Sequence, residues 1–488
     1  MMPLYRVGYG VAAVSLILLA SMSEAQDLKR VSVFSPVNAA NFIERLKPLA
    51  RTNQLQFSLD ALPGGTVSPT DAGSIVSVMK PDDNRIARRN IVVLNNSDLS
   101  SALSSMQNAA ADVLPVLSLD LFPDTPDGRK VNVELIPRRV KTTEEGNTIV
   151  LGEVKDQPGS RVVLTMKGPI ITGTIQAGGS SYNIYPFKGL AAADAPSQGL
   201  TAVDEIIEPF PNEAEPQPSA PADVPLRNDQ DLDINGGLDP SKIPAHEIRM
   251  AILYTRDAME AQGGQEAMAL FVDGLIEELN DIFQSSAIQH NVKKAYSGTI
   301  DLTETGDVLQ TRDALQASGD GKLDDVQKIR DQNKIDVVSL IVERGLPICG
   351  ISFIPEDIKK DYREYGYFVV VRQCAEGNLS FAHEFAHVLG ARHDRYRDNL
   401  EGMPIDRNHG ITYTCGVNLY CRDIMAYSNY CVDKLNVPRG KIEEQCPRER
   451  IFGGPEWPNS KIIVPTEDKD MSTRTAIQMF GAIVAAYR

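Results

Sequence analysis

Between Phe381 and Asp394 the chain reads FAHEFAHVLGARHD, which sets His383, Glu384, His387, Gly390 and His393 in the order H-E-x-x-H-x-x-G-x-x-H. The chain holds six histidines, and three of them stand inside these eleven residues. In a helix, residues four apart project from one face about a turn from each other, so His383 and His387 can meet one metal ion at about 2.0–2.1 Å. Gly390 stands three residues past His387, where helices commonly end on a left-handed residue that glycine adopts at little cost. The chain can then turn back and offer His393 as a third ligand. Three imidazoles, a carboxylate and an open position are how proteins hold a hydrolytic zinc ion. Glu384 follows the first ligand directly. It is placed to take a proton from the attacking water and hand it to the leaving nitrogen without completing the coordination shell. Each histidine alone reads as a capped or core residue; the five-position set does not.

The elements that must carry this site lie between about Ala245 and Arg488, a region of α/β character. Ile248–Tyr254 alternates as a strand. Gln265–Gln289 carries Met268, Phe271, Val272, Leu275, Ile276, Leu279 and Ile282 at three- and four-residue spacing, the pattern of a long amphipathic helix. Ile335–Val342 and Tyr367–Arg372 are apolar strand runs, the second leading towards the active helix, and Ala476–Tyr487 closes the chain as a helix. Upstream, residues 26–190 form a candidate N-terminal domain with helical patterns at Ala39–Leu49 and Leu99–Ala111. Its second part is a series of short β-branched runs: Val116–Leu121, Lys130–Ile136, Thr148–Val154, Arg161–Met166, Ile170–Gln176 and Tyr182–Tyr185. Turn chemistry separates them, which predicts an antiparallel β unit.

Residues 191–243 hold eleven Asp and Glu against Arg227 and Lys242, together with eight prolines. Over half of the chain's formal charge of −16 sits there. The stretch reads as a solvated acidic linker, not as evidence for a basic partner, and no nucleic-acid-binding face is evident. At the N-terminus, Arg6, the apolar run Val11–Ala20 and the small residues Ser23 and Ala25 have the layout of a secretory signal cleaved before Gln26. The run is too short to span a bilayer comfortably, and no later stretch could. The expected address is therefore secreted or periplasmic. All six cysteines fall between Cys349 and Cys446, which in an exported chain reads as a disulfide set. Proximity favours Cys349–Cys374, Cys415–Cys421 and Cys431–Cys446 among the fifteen pairings. With no cysteine in the first 348 residues, latency through a propeptide thiolate on the metal is excluded. Asn378-Leu379-Ser380 fits a glycosylation sequon, but Asn378 or Ser380 capping the active helix is the favoured reading. His290 and His409 stand without ligand-spaced partners and read as structural or surface residues.

The H-E-x-x-H-x-x-G-x-x-H signature, with Asp423-Ile424-Met425-Ala426-Tyr427-Ser428 some thirty residues later, resembles the metzincin clan of zinc endopeptidases and its methionine turn. Asp394 directly after the third histidine resembles the reprolysin (adamalysin) branch. Pro158-Gly159-Ser160, Val162–Met166, Gly173-Thr174-Ile175 and Tyr182–Pro186 look like a reprolysin-type propeptide. The resemblance implies that Met425 floors the metal site without binding it and that Asp394 and Gly390 fix its scaffold. Tyr427, two after the methionine, is similar to a tyrosine of astacins and serralysins, which makes it a candidate fifth ligand or oxyanion stabiliser. Cys421, four residues before Met425, departs from the adamalysin pattern.

The expectation is thus an exported zinc endopeptidase with one catalytic ion and Glu384 as general base, a monomer acting on proteins or peptides. Its layout would be a signal over 1–25, a β-rich propeptide-like domain over 26–190, a linker over 191–243 and an α/β (α+β), metzincin-like catalytic domain over 244–488 with a mixed sheet and active-site helix. Maturation would leave an N-terminus between about Ala191 and Ile248. The alternative is a secreted binding or adhesion protein that keeps a structural zinc on a protease-like fold.

Overall fold

The computed structural model describes residues 30–36, 86–95, 99, 101–102, 116–122, 130–157, 159–187, 200–206, 213, 217–218, 243–345, 347–355, 357, 360–398, 408–417, 419–454, 461–462 and 472–488. The signal segment, the helical pattern at Ala39–Leu49 and most of that at Leu99–Ala111 lie outside the described residues.

Ten strands make the first sheet: β1 (Arg30–Ser32), β2 (Phe34–Pro36), β3 (Ile86–Leu94), β4 (Val116–Phe122), β5 (Val131–Thr142), β6 (Thr148–Val154), β7 (Arg161–Lys167), β8 (Ile170–Ala177), β9 (Ser180–Pro186) and β10 (Leu200–Ile206). They run β1-β4-β5-β6-β7-β8-β9-β10-β3-β2, antiparallel except for the β1–β4 pair. The six upstream runs expected from β-branched alternation all appear, each within a few residues of its expected limits apart from β5, which extends to Thr142. Leu119, Leu135, Val150, Leu164, Ile171, Ile175 and Val203 fill one core.

β10 falls inside the stretch expected to be a solvated linker, and here the structure differs. The acidic residues are not all facing water. Asp204 takes Arg89 Nε at 2.6 Å, and Glu205 pairs with Arg88 on the neighbouring strand β3. Pairing across the sheet removes the repulsion that composition alone suggests, and Leu200–Ile206 forms a strand buried from Thr201 to Ile206.

The second sheet holds β11 (Gln217–Pro218), β12 (Glu247–Tyr254), β13 (Asn291–Thr299), β14 (Val337–Val342), β15 (Gly350–Ile354) and β16 (Tyr367–Val371), in the order β11-β15-β16-β14-β12-β13. It is mixed: β15 runs antiparallel to β16 while the remaining pairs are parallel. β14 and β16 are buried throughout, as central parallel strands are. Helix α1 (Gln265–Ser285) buries Met268, Phe271, Val272, Leu275, Leu279 and Ile282, the stripe that its spacing predicts. It ends four residues before the expected Gln289, because Ala287 turns left-handed at φ 55°. Helix α2 (Ser380–Val388) carries the motif, and α3 (Thr473–Val484) closes the chain. A small antiparallel sheet of β17 (Thr412–Gly416), β18 (Leu419–Arg422) and β19 (Lys461–Ile462) follows the motif.

The first sheet docks on the second unit through polar contacts. Arg139 and Lys141 reach Glu277 of α1, Asn147 donates to Asp273 at 2.6 Å, and Thr174 Oγ1 donates to Glu376 at 2.9 Å. The disulfides pair Cys349 with Cys374, Cys415 with Cys421 and Cys431 with Cys446, as proximity suggests. The first of them ties the start of β15 to the short helical turn after β16. No helix among the described residues is long and apolar enough to cross a membrane.

Candidate metal centre

α2 is apolar on the side that faces the sheet. Phe381 and Phe385 pack on Phe368 of β16 with ring centroids 5.3 and 6.3 Å apart. That packing fixes the helix and turns His383 and His387 to its other side. Leu389 ends the helix and Gly390 follows at φ 77°, its N–H reaching His387 O at 2.8 Å. A Cβ there would stand 2.5 Å from Cδ2 of Phe480 on α3. Both the backbone and the space therefore call for glycine, and the turn it makes brings His393 back.

The three histidines converge fully buried, their Nε2 atoms 3.1, 3.1 and 3.2 Å apart. A triangle of this size has its corners about 1.8 Å from its centre, so an ion just above the plane would meet all three at about 2.0–2.1 Å. The opposite ring nitrogens fix the tautomers. His383 Nδ1 donates to Ile424 O at 2.9 Å and His387 Nδ1 to Ala391 O at 2.7 Å. Since carbonyls only accept, the Nε2 lone pairs are left for the metal. Burial drives His383 down to about 3 and, reinforced by His383 and His393, His387 well below the usual range. Both are therefore neutral near pH 7, as ligation requires. Three buried, converging imidazoles, two of them held neutral by burial, suit a divalent ion such as zinc.

Glu384 is also fully buried, with neither carboxylate oxygen hydrogen-bonded. Burial, then the nearby Glu213 carboxylate, pushes its proton affinity well above the ordinary carboxylate value. A carboxylate in that state is a strong proton acceptor. Strand β15 starts against it: a Cβ on Gly350 would lie 2.7 Å from Glu384 Cγ. The outer edge of the sheet therefore runs beside the carboxylate.

Asp394 is buried and ties two loops together, accepting Tyr427 N–H at 2.8 Å and Arg397 N–H at 3.0 Å. Met425 is fully buried in the same core as α2. Asp423 holds its turn by accepting the N–H groups of Met425 and Ala426 at 3.1 and 3.0 Å. The Tyr427 ring lies 4.4 Å from that of His393, and its hydroxyl donates to the main-chain carbonyl of Glu213 at 3.0 Å.

Four residues of the site were not found by spacing. Asp398 stands 3.4 Å from Nδ1 of both His393 and His409, and His409, read as unpartnered, is buried with Nδ1 at 2.6 Å from His393 O. Both flank the third ligand; only the closeness of Asp398 to His393 in sequence could have signalled it. Asn378 and Ser380 do not cap α2. Leu379 occupies the cap with φ 60° and no side-chain bond, while Asn378 Nδ2 and Ser380 Oγ both donate to Glu213. Arg448 completes that contact.

Residues 245–435 match the family described as metallo-peptidase family M12. A peptidyl-Asp metalloendopeptidase of Stenotrophomonas maltophilia (strain K279a) is 25% identical over 388 residues, covering 78% of this chain and 85% of that protein. Its counterpart in Xanthomonas campestris pv. campestris is 27% identical over 377 residues, 73% of this chain and 81% of the relative. Among solved structures, metalloproteinase-II from Bacteroides fragilis aligns with a TM-score of 0.34 at 12% identity, over 62% of this chain and 86% of that one.

Proposed function

We propose that this chain, whose residues 245–435 match metallopeptidase family M12, is an exported zinc endopeptidase that hydrolyses internal peptide bonds of proteins. The observation that carries the reading is the trio of buried histidines converging beside an unpaired buried carboxylate. His383, His387 and His393 would hold one zinc ion, which supplies Lewis-acid polarisation of the reacting carbonyl and of water. The chain's own groups do the rest. Glu384, ionised, takes the proton of the attacking water and delivers it to the departing amine. The Ile424 and Ala391 carbonyls keep the ligand rings in their working tautomer. Tyr427, with its hydroxyl directed into the site, acts as a donor to a peptide carbonyl and not as a fifth ligand. Asp394 keeps that tyrosine's backbone in place.

The paired cysteines fit an oxidising compartment, in keeping with export. The relatives' name, peptidyl-Asp metalloendopeptidase, extends to this chain as a preference for bonds flanked by aspartate. The N-terminal sheet and the segment behind it act as a propeptide that masks the site until cut.

The test compares two variants for bound metal and for casein cleavage. Glu384→Gln should keep its metal and lose turnover, whereas His393→Ala should lose metal. Metal lost from the first and kept by the second would overturn the assigned roles.

A further inference from the structure

Glu213 comes from the acidic stretch between the two units, yet its side chain is 0% exposed and sits inside the catalytic unit. One carboxylate collects four donors there. Oε1 accepts Ser380 Oγ at 2.6 Å, Asn378 Nδ2 at 3.0 Å and Arg448 Nη1 at 3.0 Å, and Oε2 accepts Arg448 Nη2 at 3.3 Å. Arg448 is itself buried, and its Nη1 also donates to Asn378 O at 2.8 Å, which aims the guanidinium fork. The main-chain carbonyl of Glu213 takes the Tyr427 hydroxyl. Four residues on, Gln217 and Pro218 pair with Phe353 and Ile354 of β15, the edge that begins against Glu384. Glu213 and β11 thus stand where parts of an extended peptide would, with the Gln217–Pro218 backbone on the sheet edge and one acidic side chain in a cationic pocket.

A buried arginine fork without an acid would be an unpaired charge in a low-dielectric site, and removing one partner of such a pair is costly. The pocket is therefore built to be occupied by a carboxylate. Resting on the endopeptidase reading above, we propose that Arg448, with Asn378 and Ser380, is the subsite for an acidic substrate side chain, and that Glu213 is its built-in occupant. Glu213 makes the uncut chain latent by filling the place that a substrate aspartate or glutamate takes after maturation. Arg448 fits a planar carboxylate bidentately and discriminates against the neutral amide, which brings its own N–H donors against the fork.

The test uses the full chain carrying Glu384→Gln, so that peptide is not consumed, and the fluorescence anisotropy of a labelled octapeptide with one central Asp, beside its Asn counterpart. With Glu213 present, binding of the Asp peptide should be weak. Adding Glu213→Ala should tighten it about 10- to 100-fold, the scale of charge-assisted hydrogen bonds, with little gain for the Asn peptide. Adding Arg448→Gln should abolish the Asp-over-Asn preference. Ser380→Ala, which suits a helix start and leaves the arginine in place, should reduce it. Equal affinity for the two peptides after Glu213→Ala, or a preference that survives Arg448→Gln, overturns the proposal. With Glu384 restored, an Arg448-dependent binder that never cuts would refute the endopeptidase reading and leave the subsite standing. Cutting both peptides with equal kcat/KM would do the reverse.

Discussion

Replacing Gly390 by alanine should cost this protein far more than a methyl group usually does. The backbone there is left-handed at φ 77°, a conformation that costs a residue with a Cβ about 1–2 kcal/mol. The new Cβ would also stand 2.5 Å from Cδ2 and 2.7 Å from Cε2 of Phe480, well inside contact distance. Overpacking of that kind adds about 1–3 kcal/mol. Together these make about 2–5 kcal/mol against the catalytic unit, at the turn that returns His393. The assay is urea unfolding of the full chain by far-UV circular dichroism, following the helical transition, with bound metal measured in parallel. Gly390→Asn separates the causes: asparagine tolerates the left-handed region but brings the same Cβ, so it should recover part of the loss. Pairing Gly390→Ala with Phe480→Ala should show a favourable coupling, because the ring that clashes has gone. A Gly390→Ala chain within about 0.5 kcal/mol of the parent, the ordinary scale of surface changes, would refute the reasoning.

Asp394→Ala should strip the buried N–H of Tyr427 and the part-buried N–H of Arg397 of their acceptor. At about 1–3 kcal/mol for the buried group, with a smaller addition from the part-buried one, that is a loss of at least about 1–3 kcal/mol in the same unfolding assay, and an unchanged midpoint would contradict it. The Glu213 contact should weaken with acid. Burial alone would raise this carboxyl, but Arg448 overrides it and holds the docked group well below the ordinary carboxylate value. A group depressed on docking contributes fully above its free value of about 4.5 and loses that contribution as pH falls below it. Amide-exchange protection at Glu213, corrected for intrinsic rates, should therefore fall below about pH 4.5 in the parent but show no such step in Glu213→Gln. Reducing Cys349–Cys374 should loosen the β15 edge, so partly reduced protein should lose peptide binding before it loses α1, as exchange mapping would reveal.

The core of the site was legible because its information is local. His383, Glu384 and His387 sit on one turn of one helix, Gly390 marks the stop, and His393 follows three residues later. The disulfides were legible for the same reason, since each cysteine pairs with its neighbour in sequence. What stayed hidden depends on distant partners. Asn378 and Ser380 look like helix caps until Glu213, 165 and 167 residues away, claims both side chains. Leu379 at the cap could not be foreseen, because leucine gains nothing locally from φ 60° and is held there by burial. β10 was read as solvated spacer because Asp204 and Glu205 look like repelling charge until Arg89 and Arg88 stand across the sheet from them. β15 is only five residues long, shorter than its importance as the edge beside Glu384 would suggest.

Glu213 lies between a strand that belongs to the N-terminal sheet and one that pairs with the catalytic edge, so where the chain is nicked matters as much as whether it is. A nick before Glu213 leaves the plug tied to the catalytic unit through residues 214–242. Intramolecular attachment holds a group at a high effective concentration, on the order of millimolar, so the pocket refills and the enzyme stays silent. A nick after Glu213 leaves the plug hanging from β10, and its fate passes to the sheet, which stays docked through the polar contacts of Asn147, Thr174, Arg139 and Lys141. Release is then the dissociation of a two-piece complex, whose bimolecular rebinding dilution and salt disfavour and crowding favours. Activity would appear with a lag after the cut, and the level it reaches would fall as enzyme concentration rises, a property of a two-piece inhibitor and not of a one-cut switch.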